Sequence, residues 1–126
     1  MRLLEELNNI INEAMWDYDS QEYKDMMKEN HDLTDSFSNH CQQLDFTLED
    51  RHRLKDGTGR TVYLKYSKAS ETNYAHILEY RLQISKIVYK IIKEGNTNIH
   101  EFENIKSIED IDKAFSEINK IYEEVE

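Results

Sequence analysis

A chain with no proline and only three glycines, Gly57, Gly59 and Gly95, has few places where its backbone can break sharply. Proline stops a helix by removing a donor, and glycine supplies the positive φ that tight turns require. A sheet of many strands needs such turns repeatedly, so their scarcity over 126 residues predicts long helices joined by short connections. The length accommodates one domain around one core. The expected architecture is therefore mainly α: a four-helix, bundle-like domain over residues 1–126, with a short β-hairpin inserted between helices 2 and 3.

Composition sharpens this picture. Apolar residues make up 38% and charged residues 33% of the chain, against about 45–50% and about 25% in ordinary globular domains. So thin a core favours completion by a partner or a second copy. Eight Tyr, four Phe and one Trp, with apolar residues at helical spacing, argue against a disordered chain. Cys41 is the lone cysteine, so no internal disulfide framework is possible and a reducing compartment is expected. The N-terminal stretch breaks its apolar residues with acids, unlike a signal-peptide core, and no apolar run approaches a membrane span. A cytoplasmic protein with no membrane partner is expected.

Read in order, Leu4, Leu7, Ile11, Ala14 and Tyr18 mark a first helix over about 2–17. Trp16 falls off its stripe, which suits a bend in the chain better than an interface anchor. Ser20 caps a second helix over 21–44, on which Tyr23, Met27, Asn30, Thr34, Phe37, Cys41 and Leu44 keep a heptad-like spacing despite two polar members. A break is conceivable near Asp32 to Thr34. Over 45–66 the period changes to two, and Gly57-Thr58-Gly59 offers a hairpin turn. Pairing Asp56 with Arg60 sets Leu54 opposite Val62 and His52 opposite Leu64. A short helix over Leu48 to Lys55, capped by Thr47 and Asp50, competes for part of this segment.

Ile77, Tyr80, Ile84, Ile87 and Ile91 at three-four spacing predict a third long helix over 72–94, started at Ser70 or Thr72 and ended by Gly95 as its C-cap. Asn98 and Glu101 form a capping box for a helical turn over 99–105. Ser107 with Asp110 caps the last helix, 107–125, carried by Ile108, Ile111, Phe115, Ile118, Tyr122 and Val125.

Charge is the main functional clue. Residues 1–50 carry a net charge of −10, residues 51–95 of +6 and residues 96–126 of −6, for −10 in all. The hairpin register gathers Arg51, Arg53, Lys55, Arg60, Tyr63 and Lys65 about a glycine-rich tip, a candidate site for a nucleotide or nucleic-acid phosphate with Tyr63 as a stacking ring. Non-specific duplex binding is disfavoured by the overall charge. Glu22, Asp25, Glu29 and Asp32 recur along one helix face, a candidate docking surface for a basic partner protein. Lys86, Lys90 and Lys93 are expected to face acidic helices in the fold, and acidic faces in general serve solubility.

Catalytic and metal signatures are missing from the sequence. His31, His40, His52, His76 and His100 are scattered, no Cys-x-x-Cys or His-Glu-x-x-His occurs, and His40 and Cys41 point about 100° apart on a helix. Gly57-Thr58-Gly59 lacks the lysine and helix of a phosphate-binding loop. No catalytic residue, metal ligand or cofactor is therefore assigned. The expected function is a non-enzymatic binding protein, an acidic inhibitor or immunity-type protein of a basic, nucleic-acid-handling partner. The alternative is an anion-binding module built on the hairpin. A third reading is a helical Mg²⁺-dependent phosphohydrolase using the acidic row with Glu101 or Glu103. A homodimer is compatible with the thin core.

Overall fold

A computed structural model describes residues 17–126. Helix α1 (Gln21–Gln43) is followed by five strands, β1 (Thr47–Arg53), β2 (Thr61–Ala69), β3 (Ala75–Arg81), β4 (Lys86–Lys93) and β5 (Asn96–Phe102), and by helix α2 (Ile108–Val125). The strands form one antiparallel sheet in sequential order, a meander with β1 and β5 at its edges. This overturns the expected four-helix bundle: the described residues form an α+β fold with two helices and a five-stranded sheet. The expected helix over 2–17, with Trp16, lies outside the described residues.

The two helices that period and caps announced are present. Ser20 accepts from the Tyr23 N–H at the start of α1, and Ser107 accepts from the Asp110 N–H at the start of α2. α1 runs unbroken through Asp32 to Thr34. Its two polar stripe positions have structural partners. Asn30 donates to the Thr61 carbonyl at 2.8 Å and accepts from the Thr61 N–H at 3.0 Å, so its amide caps the first residue of β2 as another strand would. The buried Thr34 hydroxyl donates back to the His31 carbonyl at 3.0 Å.

The expected helix over 72–94 is instead β3, a 3₁₀ turn at Leu82–Ile84, and β4. Ile77, Ile87, Val88, Ile91 and Ile92 are β-branched, and together with Tyr74, Tyr80 and Tyr89 they suit a pleated surface. The residues that share a face are His76, Leu78 and Tyr80 with Ile91, Tyr89 and Ile87 across the ladder, which is alternation by two. Ser70, read as a helix cap, accepts instead from the Thr72 and Tyr74 N–H groups in the β2–β3 turn. The β3–β4 turn carries no glycine; Ser85 takes the left-handed conformation at φ 52°. Glu94 and Gly95, at φ 50° and 82°, form a two-residue hairpin loop, not a helix end. The helical turn expected over 99–105 is likewise replaced by β5.

Both helices lie on one face of the sheet. Phe37 and Cys41 from α1 and Ile111, Ala114, Phe115 and Ile118 from α2 pack on Leu64, Tyr66, Leu78, Tyr80, Ile87, Tyr89 and Ile91. Phe37 is the hub, its ring 5.3 to 5.8 Å from those of Tyr66, Tyr80 and Phe115. The hairpin over 45–66 is present as β1 and β2, with β2 continuing to Ala69, and the competing helix over 48–55 does not form. Its register departs from the expected one: His52 faces Tyr63 and Arg51 faces Leu64, with irregularities between Leu48 and Asp50 and between His52 and Arg53.

Candidate functional site

The layering sorts charge by side. The helices carry eleven carboxylates against four lysines, while the strands carry eight Lys and Arg against four carboxylates. Amphipathic helices over a sheet must turn their polar residues to solvent, so the helical carboxylates form the outer layer of one side. On α1, Glu22, Asp25 and Glu29 are exposed and Asp32 is half-buried. Among the described residues no cation pairs with any of the four; Asp25 accepts from the Gln21 amide at 2.7 Å.

The seam between α1 and α2 adds residues that the sequence reading did not assign. His40 Nε2 lies 2.7 Å from Asp112 Oδ1, tying the helices together, and its ring stacks on Phe115 at 4.5 Å. Beside it opens a cleft of about 320 Å³ lined by Asp32, Asp35, Asn39, His40 and Ile108. A second, of about 330 Å³, is lined by Asp25, Lys28, Glu29, Asp32, Lys106 and Ile108. Ile108 is 45% exposed where the two meet, an apolar anchor whose rim holds Asp25, Glu29, Asp32 and Asp35 together with Lys28 and Lys106. The sequence reading placed Ile108 in the apolar stripe of this helix, but as the first helical residue it lies beyond the buried part of that stripe, which begins at Ile111.

The hairpin cations are brought to one end of the sheet but are not equally available. Arg60 pairs with Asp56 at 3.1 Å, Lys65 with Glu49 at 3.4 Å, and the Arg51 Nε–H donates to the Thr61 hydroxyl at 3.0 Å. Arg53 and Lys55 are exposed and have no ion-pair partner among the described residues. At the tip the Thr58 N–H donates to Asp56 at 3.0 Å, and the Gly57 carbonyl accepts from Tyr18 at 3.1 Å. An internal carboxylate thus already uses the backbone donor that a bound anion would need.

Tyr63 points into a separate cluster on the sheet face away from the helices. Its hydroxyl donates to Glu79 at 2.6 Å, and Glu79 also takes Lys90 at 2.7 Å and Arg81 at 3.5 Å. Burial raises the Glu79 carboxyl, but the hydrogen bonds from Lys90 and Tyr63 and the charges of Lys90 and Arg81 outweigh it and hold the group below the usual carboxylate value. Burial, with the neighbouring carboxylate, raises the Tyr63 hydroxyl. Lys86, expected to face acidic helices, pairs with Glu101 across this face at 3.0 Å. Glu101 therefore lies on the opposite side of the sheet from the α1 acidic row, so a Mg²⁺ site combining them is not assembled. Among the described residues no three His, Cys, Asp or Glu side chains are grouped to hold a metal ion.

A third cluster is internal. His76, fully buried, lies 2.7 Å from the Tyr89 hydroxyl through Nδ1 and 2.7 Å from Glu126 through Nε2, so it fastens the end of α2 to the middle of the sheet. Cys41 is also fully buried, and burial pushes its thiol far above the usual value, which makes it a poor nucleophile. Among the described residues no helix is long and apolar enough to cross a membrane. No protein family, curated protein or solved structure matches this chain.

Proposed function

We propose that the protein is a non-enzymatic binding protein whose acidic helical layer docks on a basic partner protein, in the manner of an inhibitor or immunity-type protein of a nucleic-acid-handling enzyme. The observation that carries this reading is the row Glu22, Asp25, Glu29 and Asp32: four carboxylates without a cationic partner among the described residues, beside an exposed isoleucine, on one side of the molecule. Carboxylates so placed offer a basic surface what phosphates would offer it, and opposite charge accelerates encounter. The free, buried thiol of Cys41 fits a reducing cytoplasm.

The test is native mass spectrometry of the protein isolated from its own host. A basic protein retained at fixed stoichiometry is expected, and the combined variant Glu22→Lys, Asp25→Lys, Glu29→Lys should release it while Arg53→Ala does not. Retention after that triple reversal would remove the acidic face from consideration. Arg53 and Lys55 support a second reading, an anion site at the hairpin. It predicts instead a co-isolated nucleotide or oligonucleotide, lost on Arg53→Ala at low salt.

A further inference from the structure

The two edges of the sheet are built differently. β1 is interrupted by two irregularities and carries Glu49, Asp50, Arg51 and Arg53 within seven residues, features that keep an edge from pairing with another chain. β5 has neither device. It pairs with β4 in unbroken register from Lys93↔Asn96 to Ile87↔Phe102, and its sequence Asn-Thr-Asn-Ile-His-Glu-Phe contains no lysine, arginine or proline. Its one carboxylate, Glu101, is already neutralised by Lys86 at 3.0 Å. Ile99, at its centre, is 54% exposed.

We infer that β5 is a self-association edge, on which two copies of this chain pair antiparallel about Ile99 into one continuous ten-stranded sheet. The occupant follows from the strand itself. β5 runs from residue 96 to residue 102, so antiparallel pairing over its whole length puts Ile99 beside Ile99 of the second copy. It also sets Asn98 opposite His100, Thr97 opposite Glu101 and Asn96 opposite Phe102. No like charges meet, and the exposed isoleucines cover each other on the sheet face away from the helices, where Ile99 neighbours Lys90 across the ladder. The pairing is isologous and closed by a two-fold axis, so it ends at a dimer. The acidic helices lie on the other sheet face and do not form this contact.

Sedimentation of the full chain tests the proposal. A species of twice the 15.1 kDa chain mass, dissociating on dilution, is expected. Ile99→Lys should reduce it to the monomer, whereas Leu48→Lys, at another exposed apolar position, on β1, should leave the dimer intact. In parallel, Ile99→Cys should form an intermolecular disulfide under mild oxidation, since directly opposed Cβ atoms lie about 4.5–5.5 Å apart, close to disulfide reach. Leu48→Cys should not form one, and buried Cys41 does not interfere. A wild-type monomer at all concentrations, a dimer that survives Ile99→Lys, or cross-linking through position 48 but not 99 would each overturn the proposal. So would a monomer that takes only a foreign extended peptide along β5.

Discussion

Glu79 is a carboxylate only 4% exposed on a sheet face that neither described helix covers, held by Lys90, Tyr63 and Arg81. Because these partners hold its folded value below the unfolded one of about 4.3, the group adds stability that is fully present above that value. The contribution is lost as pH falls through the lower, folded value. Glu79→Gln should therefore cost about 1–3 kcal/mol at neutral pH, and urea titrations should show the penalty shrinking as the solution is acidified. A penalty constant with pH would mean that packing, not charge, holds this cluster together. Little of this was readable in the sequence. Glu79 is one acid among apolar neighbours, and its partners come from β2, from β4 and from Arg81 two residues along, so only the ladder register brings them together. Asn30 was half readable: its polar break in an apolar stripe was visible, but Thr61, the backbone it caps, lies 31 residues away.

At the scale of elements, caps and turns were legible where their chemistry is unambiguous. Ser20, Ser107 and the glycines at 57 and 59 announced α1, α2 and the first hairpin. β3 and β4 were hidden by a coincidence of spacing. Ile77, Tyr80, Ile84, Ile87 and Ile91 fit a helical stripe, yet Ile77 and Tyr80 lie on opposite faces of β3 and Ile84 sits 61% exposed in the turn. The turn itself gave no warning, because a serine occupies its left-handed position. Gly95 is required at positive φ by a helix C-cap and by a hairpin alike, so it could not decide between them. The residue before it can. Glu94 is left-handed at φ 50°, a conformation that asparagine tolerates far better than glutamate. Glu94→Asn should stabilise the protein by about 0.5–1 kcal/mol, read as a higher melting temperature. In the last turn of a helix the same change, to a poorer helix former, would lower it.

At the scale of the molecule, the charge segregation seen along the chain survives the change of fold with a different meaning. The basic middle segment supplies most of the sheet and each acidic flank contributes one of the described helices, so a one-dimensional pattern becomes two sides of a layered structure. The lysines expected to neutralise the helices instead neutralise carboxylates on the sheet, as Lys86 does Glu101 and Lys90 does Glu79, and among the described residues the row Glu22, Asp25, Glu29 and Asp32 has no cationic partner. That arrangement gives the two proposed contacts opposite responses to salt. Screening sets in over about 8–10 Å near physiological ionic strength. A basic partner attracted by the helical layer should bind more weakly as salt is raised. Two copies of a chain with net charge −10 repel each other, and pairing through the nearly uncharged β5 edge should tighten as that repulsion is screened. Sedimentation and partner titration over the same salt series should therefore move in opposite directions. A dimer that loosens with salt would place its contacts among the charged residues and away from Ile99.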